Sequence, residues 1–178
     1  MREHGVSLDV CSPNISLKEL YRFTTEELFT QEMDDFSMPG MMYCFIYDEF
    51  HPDPIYENSR AAMDTVKSIL SPEISECLPH LRRRNLRLND RLPLLEEEFR
   101  WYINQFKQAY EQMDPPILTE LECTIRDHYS LVRGTYQLRV SLQTEYISLE
   151  GEWSIELELD DHLGYWYIFN VQFDGINF

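Results

Sequence analysis

The densest group of side chains able to do chemistry is Asp48-Glu49-Phe50-His51-Pro52-Asp53-Pro54, followed by Tyr56 and Glu57. Carboxylates and an imidazole this close in sequence could bind a divalent metal or share proton-transfer work. The same residue types also suit a stiff loop leading into a helix. Asp53 is a good N-cap and Pro54 fits a first turn, so capping already explains both. His128, between Asp127 and Tyr129, is the second candidate acid/base group, since histidine titrates near neutral pH. A His beside an Asp in sequence is weak evidence, and such a residue more commonly ends a strand at the surface. The catalytic candidates are therefore His51, Asp53 and His128.

Other clusters read as structure first. Asp160-Asp161-His162 resembles a ligand triplet but lies in a turn, where Asp side chains hydrogen-bond locally. Arg82-Arg83-Arg84, with Arg87 and Arg91, is a basic island that could meet a phosphate, an acidic partner or a second copy's acidic face; the plainer reading is an exposed loop. No glycine-rich phosphate loop, nucleophile elbow or paired-histidine helix motif is present. Cys11, Cys44, Cys77 and Cys123 lack the short spacing of a zinc site and read as free thiols. No metal and no cofactor is called for.

Strands must position most of these groups. From Pro116 to Phe178 apolar and polar residues alternate, which in a strand separates a dry from a wet face. Leu121, Cys123 and Ile125 form one dry set; Tyr136, Leu138, Val140 and Leu142 a second; Trp153, Ile155, Leu157 and Leu159 a third. Glu152, Glu156 and Glu158 lie on the wet face. In the last strand Tyr165, Tyr167, Phe169, Val171 and Phe173 share one face, while Trp166 and Ile168 begin the other, so both faces need covering. Leu149-Glu150-Gly151 and Asp160 to Gly164 read as hairpin joins. The join around Ser130 to Gly134 is less defined.

Helices precede the strands. Ser16 and Thr24 both begin capping-box patterns, so Leu17 to Met33 is one bent helix or two short ones. A second helix starts at Asp53-Pro54, carries Ile55, Ala62, Met63, Val66, Ile69 and Leu70 on one stripe, and stops at Ser71-Pro72. A third is capped by Asp90, has Pro93 in its first turn and runs to Met113, with Leu95, Phe99, Tyr102, Ile103, Phe106 and Tyr110 as its stripe. Met41 to Phe50 is a strand or an approach to the second helix, and Ser71 to Asn89 is the candidate mobile segment. The expected class is α+β: N-terminal helices (about 15–113) on a C-terminal curved antiparallel sheet of four or more strands (about 117–176). Residues 1–178 suit a single domain.

Thirty-two acids against 15 lysines and arginines give a net charge of -17. That field opposes phosphate backbones and anionic membranes, so neither nucleic acid nor membrane is the expected partner. A hydrophobic content of 43% and an aromatic content of 13% argue for a folded chain rather than a disordered one. No apolar run is long enough to span a bilayer and no signal-peptide core follows Met1, so a cytoplasmic protein is expected.

Gly151-Glu152-Trp153-Ser154-Ile155-Glu156-Leu157-Glu158-Leu159, then Gly164-Tyr165-Trp166-Tyr167-Ile168, then Val171-Gln172-Phe173-Asp174-Gly175-Ile176 resemble the C-terminal strands of the nuclear transport factor two-like (cystatin-like cone) superfamily. The resemblance implies a curved sheet around helices, a pocket inside the cone and a dimer through the outer sheet face. Tyr102, Phe106, Tyr136, Trp153 and Trp166 are pocket-lining candidates, although aromatic residues at these spacings are more often plain core; the basic island and the apolar last strand make Arg82, Arg83, Arg84, Tyr165, Tyr167 and Phe169 interaction candidates. No catalytic set of any branch of that superfamily matches this chain. The expected function is a non-catalytic small-ligand-binding or protein-association (dimerising) domain. The alternatives are a small metal-independent lyase, isomerase or hydrolase, and an acidic regulator of a basic protein.

Overall fold

The computed structural model describes residues 6–10, 14–30, 43–72, 78, 80–89, 91–143 and 145–178. They fall into two compact units, Met1–Pro54 and Ile55–Phe178.

In the first unit, β1 (Val6–Asp9) pairs in parallel with β2 (Tyr43–Ile46). Helix α1 (Leu17–Arg22) begins at Ser16, whose hydroxyl accepts the Glu19 amide at 3.1 Å. The Thr24 pattern caps nothing. The chain continues helically through a wider π-turn, Phe23–Glu27, and a tighter 3₁₀ turn, Leu28–Thr30. Thr24 instead turns its hydroxyl back on the Leu20 and Tyr21 carbonyls. A threonine inside a helix can satisfy itself this way and loosen the turn around it. The Met41 to Phe50 run resolves, where described, into β2 followed by the single-turn helix α2 (Tyr47–Phe50).

In the second unit, helix α3 (Pro54–Leu70) starts on the proline as its sequence predicts. Ala62, Val66, Ile69 and Leu70 are buried, but Ile55 is exposed, so the stripe begins later than its periodicity suggests. Helix α4 (Glu96–Gln108) is shorter than expected. Pro93 is not in its first turn; it lies in β4 (Arg91–Leu94), which pairs with β3 (Leu86–Leu88). Leu95 is the helix N-cap, its amide bonded by the Glu98 carboxylate at 2.8 Å. Asp90 lies outside the described residues. Tyr110 and Met113 fall beyond the helix, Met113 in β5 (Gln112–Met113).

The remaining strands are β6 (Ile117–Arg126), β7 (Tyr129–Leu142), β8 (Glu145–Asp160) and β9 (Tyr165–Phe173). The seven-stranded sheet runs β4-β3-β9-β8-β7-β5, with β6 also on β7. It is antiparallel except where β3 lies parallel to β9. The described part of the Ser71 to Asn89 segment therefore joins the sheet at two places, with Leu81 bridged to Ile168 and Leu88 of β3 paired with Val171. The class is α+β with a sheet of four or more strands, as expected; the β3–β9 pairing makes it mixed rather than purely antiparallel.

Two expected joins are strand interior. Gly151 sits within β8 opposite Tyr136, and Ser130 to Gly134 sit within β7. The actual turns fall at Asp127-His128 and at Gln143, where Asp127 and Gln143 adopt positive φ. The two glycines are needed for space: a Cβ on Gly134 would stand 2.1 Å from the Thr119 carbonyl oxygen and 2.3 Å from the Trp153 ring. A Cβ on Gly151 would stand 2.6 Å from the Asp174 carbonyl oxygen. The join from Asp160 to Gly164 is a true turn, with Gly164 at φ 68° and Asp160 accepting the His162 and Leu163 amides.

One sheet face carries Val132, Tyr136, Leu138, Val140, Trp153, Ile155, Leu157, Ile168, Val171 and Phe173 into a core shared with Phe99, Ile103 and Phe106 of α4 and the buried residues of α3. Burying such aliphatic and aromatic groups, at about 1.5–3 kcal/mol each, holds the helices to the sheet.

Candidate functional site

The other face of the sheet holds an open concavity, and two bulges shape it. In β9 the register passes from Glu156↔Asn170 to Leu157↔Ile168, leaving Phe169 as an extra residue. The expected five-residue face is therefore broken. Val171 and Phe173 point with Ile168 into the core, while the bulge turns Phe169 toward the outer face. A bulge re-aims a side chain in just this way. In β6 the register slips between Glu120 and Glu122, and Leu121, expected inward, is exposed.

The resulting groove has a volume of about 400 Å³. Strand β6 contributes Glu122, Thr124 and Arg126, standing opposite Arg133, Leu131 and Tyr129 of β7. Glu156 of β8 lies opposite Leu131, and Phe169 closes the far side. Ser130 also lines it. The Tyr129 and Phe169 rings meet edge-on with centroids 6.3 Å apart. Arg82 reaches over Phe169, its guanidinium carbon 5.8 Å from the ring centre, and pairs with Glu158. The Tyr129 hydroxyl donates to the same Glu158 at 3.4 Å. Glu156 accepts from the Asn170 amide at 2.9 Å, and Glu122 from the Thr124 hydroxyl at 2.8 Å.

Of the interaction candidates, Phe169 and Arg82 are at this groove, while Arg83 and Arg84 are exposed beside it in sequence. Tyr165 is exposed and Tyr167 half-buried on the same strand. The groove's other residues were not singled out by sequence, although a signal exists. Counting back from Tyr136 in steps of two puts Tyr129, Leu131 and Arg133 on the wet face, so an aliphatic and an aromatic side chain stand where only polar ones belong. Reading Ser130 to Gly134 as a join hid that parity.

The pocket-lining candidates lie among the core residues. Tyr136 and Trp153 are each 1% exposed. The Tyr136 hydroxyl donates to the Asp174 carbonyl at 2.5 Å, and burial pushes its pKa up to about 12. The Trp153 indole donates to the Thr135 carbonyl at 3.1 Å. Phe106 is buried against Tyr110 and Phe178. Tyr102 is half-buried under the Arg91 guanidinium at 4.1 Å, and Trp166 is half-buried against the core.

The catalytic candidates fall in different units, His51 and Asp53 in the first and His128 in the second. His51 meets Glu27 at 2.5 Å, and its ring stacks on Tyr47 at 4.8 Å. Arg22 is 3.1 Å from the same Glu27 carboxylate. Asp53 immediately precedes α3. His128 sits on the β6–β7 turn, its side chain 56% exposed, and pairs with Asp161 at 2.9 Å rather than with adjacent Asp127. Among the described residues no three His, Cys, Asp or Glu side chains converge as metal ligands, and no helix is long and apolar enough to cross a membrane.

No family profile and no curated protein matches the sequence. Solved structures do match in shape. The Kfla4162 protein of Kribbella flavida is similar over 66% of this chain and 90% of its own, with 12% identity and a TM-score of 0.52. A nuclear transport factor two-like protein of Cytophaga hutchinsonii is similar over 70% of this chain and 99% of its own, with 10% identity and a TM-score of 0.51. A nuclear transport factor two-like superfamily protein of Salmonella enterica serovar Typhimurium is similar over 69% of this chain and 91% of its own, with 10% identity and a TM-score of 0.51. Identities this low speak for architecture and not for activity. Together with the α+β layout and the long antiparallel run from β6 to β9, they show that the chain has the nuclear transport factor two-like fold.

Proposed function

We propose that this chain is a non-catalytic binding domain that takes a small, largely apolar ligand in the outer-face groove. The observation that carries the reading is the placement of Phe169 and Leu131 at a concavity of about 400 Å³ on the sheet face turned away from the core. Pockets for small molecules span roughly 300–1,000 Å³ and combine apolar walls with a few converging polar groups. The arrangement of Tyr129, Leu131 and Phe169 among arginines and glutamates fits that description. An NMR titration of the chain with a panel of small apolar acids, amides and lactones tests it. Binding should perturb the amides of Leu131 and Phe169 and be lost in Phe169→Ala. Perturbations centred on Tyr136 and Trp153, or binding indifferent to Phe169→Ala, would refute it.

A second reading is self-association through the same face, supported by the exposure of Ile117, Leu121 and Tyr165 on its strands. An isologous contact would let the groove's arginines and glutamates pair across the two-fold axis. Sedimentation equilibrium over a hundredfold range near micromolar concentrations separates the two readings: a monomer throughout leaves the ligand reading alone.

A further inference from the structure

We propose that the groove selects an organic anion, a carboxylate carried on a small apolar body. The inference rests on reading the groove as a binding site and adds the charge of its occupant. It comes from the state of the charged groups around Leu131. The acids already have hydrogen-bond donors: Glu156 accepts from Asn170 and Glu122 from Thr124. The arginines do not have acceptors. Arg126 and Arg133 lie on the same face, on either side of Leu131, and neither side chain forms an ion pair or hydrogen bond among the described residues. Arg133 even stands opposite Glu122 in register without pairing to it. By contrast Arg82, Arg22 and Arg100 each pair with a glutamate.

A guanidinium presents five N–H donors in a planar fork that matches a carboxylate two at a time. What these two guanidiniums lack is therefore an acceptor, and a ligand carboxylate supplies one with the right geometry. Leu131 and Phe169 would hold the apolar body while the head group reaches Arg126 or Arg133. The chain as a whole, at net charge -17, has no general attraction for anions. Selectivity for an acid over its neutral isostere thus reports the groove and not the bulk field.

The test is calorimetry on the full chain with octanoate and phenylpropionate, each against its amide, octanamide and phenylpropionamide. The acids should bind about tenfold more tightly than the amides, or better, the difference expected from one charge-assisted hydrogen-bond pair. Arg126→Gln with Arg133→Gln should erase that preference, so that acid and amide bind alike. Both side chains are exposed, so the urea midpoint of the double variant should match wild type. If acids and amides bind equally, and Phe169→Ala abolishes both, the anion inference fails while the ligand reading stands. If neither class binds, or Phe169→Ala leaves both untouched, the reading of the groove itself fails. Retention of acid preference in the double arginine variant also overturns the inference.

Discussion

Gly134→Ala should be among the most damaging single-methyl additions in this chain. The new Cβ would lie 2.1 Å from the Thr119 backbone oxygen and 2.3 Å and 2.5 Å from two atoms of the Trp153 ring. Real Cβ contacts do not come this close, so both neighbours must move. The ring is 1% exposed, and its indole is tied to the Thr135 carbonyl. The Thr119 oxygen belongs to β6, whose pairing with β7 sets the β6 side of the groove. Overpacking usually costs about 1–3 kcal/mol, and a clash with a backbone atom belongs at the top of that range or above it. We expect a loss of about 3 kcal/mol or more, read as a lower urea midpoint at unchanged m-value. Gly164→Ala is the control. It has φ 68° but nothing within 4 Å of the added Cβ, so only the left-handed backbone, about 1–2 kcal/mol, should be felt. Adding Trp153→Phe to Gly134→Ala should recover part of the loss beyond additivity, because it removes one of the two clashes. If Gly134→Ala falls within about 1 kcal/mol of wild type, the register of β6 on β7 described here is wrong.

Two buried groups predict opposite alkaline slopes. Burial lowers the Lys107 pKa from 10.5 to about 8, so between these values the unfolded chain holds more protons and stability rises with pH, by up to roughly 1.4 kcal/mol per pH unit. Lys107→Met should flatten that rise in denaturation curves taken from pH 7 to 10. Tyr136, raised to about 12, keeps its proton in the folded chain after the unfolded one has lost it, so its contribution falls as pH passes 10 and is gone above 12. Tyr136→Phe should remove that fall and cost about 1 kcal/mol at pH 7 for the lost bond to Asp174. Asn89 sits at φ 50°, donates to the Ile176 carbonyl and accepts the Phe173 amide. Asn89→Ala should cost about 2–3 kcal/mol and Asn89→Gly less, since glycine loses the bonds but keeps the backbone; equal losses in chemical denaturation would refute the φ argument.

Sequence by itself determined the local periodicities. The two-residue alternation identified the dry faces of β7 and β8 around Leu138 and Ile155, because a strand's side chains alternate whatever lies next to it. Pro54 marked the start of α3 and Ser16 the cap of α1, because capping depends on a few adjacent residues. The resemblance in the last strands pointed to the fold that the solved structures share. Tertiary structure decided the rest, because each remaining feature depends on atoms distant in sequence. Strand β3 has three residues, too few for their alternation to mark a strand; it forms because β9 offers it backbone partners. Pro93 joined a strand rather than a helix because β3 took up β4. Gly134 and Gly151 looked like turns, but they are glycines because Trp153 and Asp174 approach their backbones from elsewhere in the sheet. The groove is the extreme case: Phe169 reaches it through a bulge set by the pairing of β8 with β9, and Glu156 meets Leu131 only across the β7–β8 register. Alternation shows which way a side chain points, but register decides what it points at, and register is a property of the partner strand.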